Sequence, residues 1–220
     1  MTTAWLAGAS GLVVGELLGL LLQDDGFDEV VSVGRRELEL RHPKLTQVVT
    51  DFSTASAFEA LHPPDAAFSC LGTTIKKAGS RDAFRRVDHD AVLAFADAAR
   101  RKHARVFVHV PALGADPRSR VFYSAVKGEA ERDVVRLGFP SVYALRPSIL
   151  DGERKESRPA ERLGLAVTRV LGPLLGKYRP TPVEKVARAM IASSRAASPG
   201  AHVVDADAIL GATSSSPSRA

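Results

Sequence analysis

A chain of 220 residues with 45% hydrophobic and 25% charged side chains has ordinary globular composition and the length for one buried domain with an appended subdomain, which sets aside disordered, fibrous and two-core architectures. Its formal charge of +5 is too small an excess to favour nucleic acid over a phosphate-bearing small molecule. The single cysteine, Cys70, excludes an internal disulfide and removes the usual sign of a secreted fold, so a reducing cytoplasm is the expected location.

The first element is an apolar strand at residues 3 to 7, followed by a glycine loop and a helix in "AWLAGASGLVVGELLGLLL". The stretch is as apolar as a signal peptide, but it has no basic N-terminal region and contains Glu16 and four glycines. No other run nears the roughly 20 apolar residues that a membrane span requires, so no membrane partner is expected. Gly8 and Gly11, after a strand and before a helix, allow the backbone to approach a pyrophosphate where unpaired N–H groups favour an anion. Gly8, Ser10, Gly11, Leu12 and Val13 are the candidate contacts. A third glycine usually follows three residues later, where the helix packs on the strand; here Val14 stands there, with Gly15 next to it. Either the helix stands outward or Gly15 takes over, and binding is expected to be weakened but not abolished.

A second strand at residues 30 to 33 ends in Gly34, Arg35 and Arg36. A fold that prefers NAD offers a carboxylate to the ribose hydroxyls at this point, whereas two guanidinium groups suit a 2'-phosphate, so NADP(H) is expected in preference to NAD(H). A third strand at 46 to 50 leads into Asp51 and Phe52, candidates for the adenine pocket, and a fourth spans 66 to 70. Ser80 then N-caps a helix with Phe84, Val87, Ala91, Phe95 and Ala98 as its buried stripe. The basic cluster Arg100, Arg101, Lys102, His103 and Arg105 complements that helix's dipole, and with no aromatics interleaved no nucleic-acid partner is expected. Strands at 106 to 110 and 141 to 146 complete an alternation of the βαβ type.

Between those last two strands, "FYSAVKGEAE" places Tyr123 and Lys127 one helical turn apart. A nearby ammonium stabilises a phenolate, so Tyr123 can exchange a proton with a carbonyl oxygen near neutral pH while Lys127 also binds ribose hydroxyls. After residue 150 come the mixed charges Arg154, Lys155, Glu156 and Arg158, then two helical stretches forming a C-terminal lobe at about 150–195. The first, "RPAERLGLAVTRVLG", is amphipathic; the second, "TPVEKVARAMIASS", opens with a capping box of Thr181 and Glu184 around Pro182. Residues 1–211 are expected to form one domain and 212–220 a frayed tail. No Cys/His spacing suggests a metal site.

The glycine loop, the "GRR" turn, "SCLGTT", "VDHDAVL", "LGADPRSRVFYSAVKGEAE", "RPSIL" and "ERKESRP" together resemble the atypical short-chain dehydrogenase/reductases, in the small branch of the Tat-interacting-protein oxidoreductases and their bacterial relatives. The resemblance runs to about residue 195. It implies a Rossmann-like doubly wound parallel sheet, an NADP(H) cofactor, and Tyr123 with Lys127 as the catalytic pair, both also counted among the cofactor-binding residues. It further implies that Leu71, Gly72 and Thr73 line the cofactor and that Pro147 and Ser148 lie near the nicotinamide carboxamide.

The chain departs from that pattern at Pro111, where the family has a serine that hydrogen-bonds the reacting oxygen. Proline carries neither a hydroxyl nor a backbone N–H, and loss of one such donor lowers rate by roughly 10²- to 10³-fold. Ser119, Ser124, Thr74 and His109 are the nearby candidates to replace it, His109 lying deeper on the same strand face. The expected function is an α/β protein moving hydride between NADP(H) and a small carbonyl or alcohol substrate, with impaired or atypical catalysis and a homodimer as a candidate assembly. The alternative is a non-catalytic dinucleotide-binding scaffold or regulatory protein.

Overall fold

A computed structural model describes residues 1–8, 11–151 and 180–211. Its strands are β1 (Thr3–Ala7), β2 (Glu29–Gly34), β3 (Leu45–Val49), β4 (Ala66–Ser69), β5 (Val106–His109), β6 (Ser141–Arg146), the two-residue β7 (Leu150–Asp151) and β8 (Thr181–Pro182), and β9 (Gly200–Asp205). The helices are α1 (Leu12–Gln23), α2 (Ile75–Ala78), α3 (Arg81–Arg85), α4 (Ala91–Arg101), α5 (Phe122–Arg136), α6 (Val183–Ala196) and α7 (Ala206–Gly211). The main sheet has seven strands in the order β3-β2-β1-β4-β5-β6-β9, every pair parallel. Strand order reverses between β1 and β4, so their carboxyl ends border the crevice in which open α/β sheets bind ligands. The sheet is the Rossmann-like α/β architecture that the alternation of elements predicts, with helical segments at its C-terminal end.

Pleating decides which layer each strand residue joins. From β1, Ala4 and Leu6 pack with Val14, Leu17 and Leu21 of α1 and Val186 and Met190 of α6. Trp5 and Ala7 face the other way, toward Phe95 and Ala99 of α4 and Val134 of α5. Val14 is fully buried in the first of these cores, while nothing lies within 4 Å of where a Gly15 Cβ would be. The helix therefore seats a valine directly on the sheet, and Gly15 has no packing role.

Three local outcomes differ from the sequence reading. Ser80 caps α3, its Oγ accepting from Ala83 N at 3.1 Å, but the expected single helix is interrupted by a π turn at Arg86–Asp90. That wide turn advances the buried stripe by one residue, so that Asp88 faces inward and Val87 is only partly covered. Thr181 caps nothing: α6 begins at Val183, and Thr181 pairs through β8 with Leu150 of β7. Its N–H donates to the Ile149 carbonyl at 2.8 Å and its hydroxyl lies 3.1 Å from Ser148 Oγ, a use that tertiary contact and not helix chemistry dictates. The third is β9, an edge strand beside β6 with few β-branched residues, which local pattern does not announce. The amphipathic stretch before Pro173, the charges Arg154 to Arg158 and the tail 212–220 lie outside the described residues.

Candidate functional site

The β1–α1 loop is built around Gly8. Its φ of +105° is one that residues with a Cβ rarely adopt, and a Cβ there would lie 2.7 Å from the carbonyl carbon and oxygen of Cys70. Gly8 thus lies against the chain leaving β4, and Gly11 N donates to Gly8 O at 3.0 Å. Gly11 is the N-cap of α1, no side chain among the described residues caps the helix and no acidic residue occupies its first turn. The first-turn N–H groups near Leu12 and Val13 are the kind of donors that an anion can meet at a helix N-terminus. This is the fit expected for a pyrophosphate; Ser10 lies outside the described residues.

Arg35 and Arg36 follow β2 at the same carboxyl edge, both exposed and neither ion-paired among the described residues. Asp51 is exposed, and its Oδ1 accepts from the hydroxyl and the N–H of Ser53 at 2.6 and 2.9 Å, bonds that hold its carboxyl below the usual carboxylate range. Phe52 turns its ring into the core, edge-on to Phe95 at 6.4 Å, and so offers only its backbone at the edge.

On α5, Lys127 is 5% exposed and its Nζ lies 2.7 Å from Oδ1 of the fully buried Asp88. Asp88 Oδ2 accepts from Thr73 N at 2.9 Å. Burial pushes the Asp88 carboxyl above the usual range, against the pull of the Lys127 ammonium and the Thr73 N–H. A Cβ on Gly72 would stand 3.0 Å from Lys127 Nζ, so the Leu71–Thr73 backbone passes directly over the ammonium. Asp88 is the candidate site residue that the stripe reading missed; the signal for it was a charged residue within an otherwise apolar-spaced helix, explained by the π turn, a feature frequent at functional sites. Tyr123, one turn before Lys127, is half-buried with its ring 5.3 Å from Phe84.

Pro111 is buried in the wall behind this pair, beside Ser69, His109 and Lys127. Of the candidate replacements for its missing hydroxyl, Thr74 Oγ1 caps α2 by accepting from Lys77 N at 3.2 Å, and Ser119 Oγ accepts from Val121 N at 3.1 Å. The Ser124 carbonyl accepts from Asp116 N at 3.1 Å, tying the loop after β5 to α5. His109 is 3% exposed, and burial, with Lys127 and Arg146 nearby, pulls its pKa down to about 3, which favours the neutral imidazole at pH 7. Pro147 is buried after β6, and Ser148 hydrogen-bonds Thr181.

One further position is placed by the loop after β5. A Cβ on Gly128, adjacent to Lys127, would lie 2.3 Å from the backbone at Asp116 and Pro117. Gly128→Ala must push that loop off α5, and the expected loss is about 3 kcal/mol or more, read as a lower urea midpoint with an unchanged m value. An unchanged midpoint would mean that the loop does not rest on the helix.

No helix among the described residues is long and apolar enough to cross a membrane. No group of three or more metal-ligating side chains occurs among them. No protein-family model matches the chain. It is 38% identical over 184 residues to the mitochondrial protein fmp52 of Emericella nidulans, covering 80% of this chain and 77% of that one. It is 36% identical over 193 residues to protein HTATIP2 of Rattus norvegicus, covering 86% and 79%. Among solved structures, MoeE5 in complex with UDP-glucose and NAD is similar with a TM-score of 0.70 at 19% identity, over 92% of this chain and 75% of that one. The Bordetella bronchiseptica enzyme WbmH in complex with NAD+ is similar with a TM-score of 0.68 at 18% identity, over 93% and 76%. The fold is thus the one found in these two NAD-complexed proteins.

These relatives correct one expectation. Several are named as mitochondrial proteins, which overturns the cytoplasmic location inferred from the lone cysteine. A free thiol reports reducing surroundings, and more than one compartment provides them. With more than a third of residues identical across four fifths of its length, the chain belongs to the Tat-interacting-protein-like NAD(P)-binding family of HTATIP2 and FMP52.

Proposed function

We propose that the protein binds NADP(H) at the carboxyl edge of its sheet and moves hydride between that cofactor and a small carbonyl or alcohol. The observation that carries this reading is the buried Lys127 ammonium, fixed at 2.7 Å from Asp88 beneath the Gly72 backbone and one turn from Tyr123. A lysine held in this way is costly to bury and is set in direction before any ligand arrives. The α1 amides and the Gly8 loop would hold the pyrophosphate, and Arg35 and Arg36 the 2'-phosphate. Backbone at Leu71–Thr73 and residues Pro147 and Ser148 would line the nicotinamide half, with Asp51 and the Phe52 backbone near the adenine. The bound cofactor supplies the hydride. Tyr123 gives its proton to the carbonyl oxygen as that oxygen gains charge, and takes it back in the reverse direction, while Lys127 stabilises the phenolate.

Pro111 favours a second reading, in which the same site binds the dinucleotide but turns over little. Calorimetry with NADPH and NADH, followed by a carbonyl panel on native protein and Pro111→Ser, separates the two. NADPH is expected to bind about 10- to 100-fold more tightly than NADH, a preference lost when Arg35 and Arg36 are both alanine. Tyr123→Phe is expected to lower turnover by about 10²- to 10⁴-fold with NADPH affinity unchanged. A gain of roughly 10²- to 10³-fold in Pro111→Ser favours the crippled site. No heat with either nucleotide would end both readings.

A further inference from the structure

A small cavity of about 10 Å³ lies behind the Lys127 ammonium, between the ends of β4 and β5 and the π turn, with Ser69, Asp88, His109 and Lys127 in its wall. Ser69 and His109 are register partners across the β4–β5 ladder. Ser69 Oγ and His109 Nε2, on residues 2% and 3% exposed, have no hydrogen-bond partner among the described residues. Asp88 Oδ1 lies 2.7 Å from Lys127 Nζ in an ion pair, and a carboxylate oxygen can accept from a second donor beside it. Native interiors hold few such atoms, and two on one wall beside an ion pair form a concentration that demands a partner.

The volume suits one water molecule. We propose that the cavity is a built site for a single water that joins Ser69 and His109 to the Lys127–Asp88 pair. The hydrogen count closes. A water has two hydrogens to give and two lone pairs to share; Lys127 Nζ can only donate and Asp88 Oδ1 can only accept, which uses one of each. The other hydrogen and lone pair go to His109 Nε2 and Ser69 Oγ, and the hydroxyl rotates to suit whichever tautomer the imidazole holds. A neutral imidazole is what the site requires, because an imidazolium would set a second cation against Lys127. The water makes His109 and Ser69 positioning residues: with Asp88 on one side and the water on another, the ammonium is steered toward the surface that Gly72 leaves open. This last step rests on the reading of Lys127 as a ribose-binding group, whereas the water site does not.

The test is a crystal structure of the full chain at a resolution that orders internal waters, alongside His109→Leu, His109→Gln and Ser69→Ala. One ordered water is expected within hydrogen-bonding distance of Ser69 Oγ, His109 Nε2 and Lys127 Nζ, retained in His109→Gln and lost in His109→Leu. A dry cavity in the native protein, or Ser69 bonded directly to His109, overturns the site. Calorimetry then reads the positioning role: NADPH affinity falls about tenfold in His109→Leu and returns in His109→Gln. Loss of the water with affinity unchanged overturns that role. Should His109→Leu fail to fold, Ser69→Ala is read in the same way. If native protein binds no dinucleotide, the cofactor reading falls while the water in the native structure still decides the site.

Discussion

Asp88→Ala lowers the stability of the protein by about 3–5 kcal/mol, the expected cost of leaving a buried ammonium without its counter-charge. Lys127 is 5% exposed and has no other carboxylate within ion-pair distance among the described residues. The same substitution deprives Thr73 N of its acceptor, so the strand-end loop that crosses Lys127 is loosened as well. The loss appears as a lower urea midpoint at constant m value. A double substitution, Asp88→Leu with Lys127→Met, removes both charges at similar volume and is expected to recover most of the stability, since a buried pair is worth little net against apolar packing. It must not recover function. NADPH affinity and turnover stay low in the double variant, because the group that meets the ribose is gone. A single Asp88→Ala variant as stable as the native protein would show that Lys127 reaches solvent, and the fixed ammonium on which the catalytic reading stands would be lost with it.

The contrast between Asp88 and Tyr123 shows which kinds of residue a sequence exposes. Tyr123, Lys127, Gly8 and the arginines after β2 are legible because the spacing that matters is local: one helical turn, or one loop between a strand and a helix. Six of the seven main strands are legible for the same reason, as short apolar runs bounded by turn residues. Asp88 is hidden because a π turn changes the helical period for five residues, and a fixed 3.6-residue count then assigns the buried face to Val87. Gly128 is hidden because its constraint comes from Asp116 and Pro117, a loop that reaches it only in the folded chain. Thr181 carries a genuine capping-box pattern, but a short strand pairing with Leu150 competes for its backbone and prevails. β9 escapes notice because an edge strand buries little and so needs little apolar pattern; Val203 is 55% exposed.

Gly8→Ala is expected to weaken NADPH binding by at least about 100-fold, or roughly 2.7 kcal/mol, and to lower stability by about 2–4 kcal/mol. Two independent costs act at this position. A φ of +105° is strained for any residue with a Cβ, and the added methyl would meet Cys70 carbonyl atoms at 2.7 Å and Leu71 N at 3.0 Å. These are backbone atoms of the chain leaving β4 and cannot swing aside as a side chain would. Relief requires Gly8 and the end of β4 to separate, and they border the crevice at which strand order reverses. The first-turn amides of α1 then point away from the pyrophosphate they would bind. Two other glycines supply controls of opposite expectation. At Gly11 a Cβ meets nothing nearer than Gly8 O at 3.6 Å, so Gly11→Ala should leave the fold close to native. At Gly15 nothing lies within 4 Å, and alanine within a helix is favoured over glycine, so Gly15→Ala should stabilise by about 0.5–1 kcal/mol. Thermal or urea midpoints for the three, with NADPH titrations, rank them Gly15→Ala above Gly11→Ala above Gly8→Ala. If Gly8→Ala binds NADPH as the native protein does, the close approach of the two loops is not what shapes the site, and the placement of the dinucleotide at the α1 N-terminus fails with it.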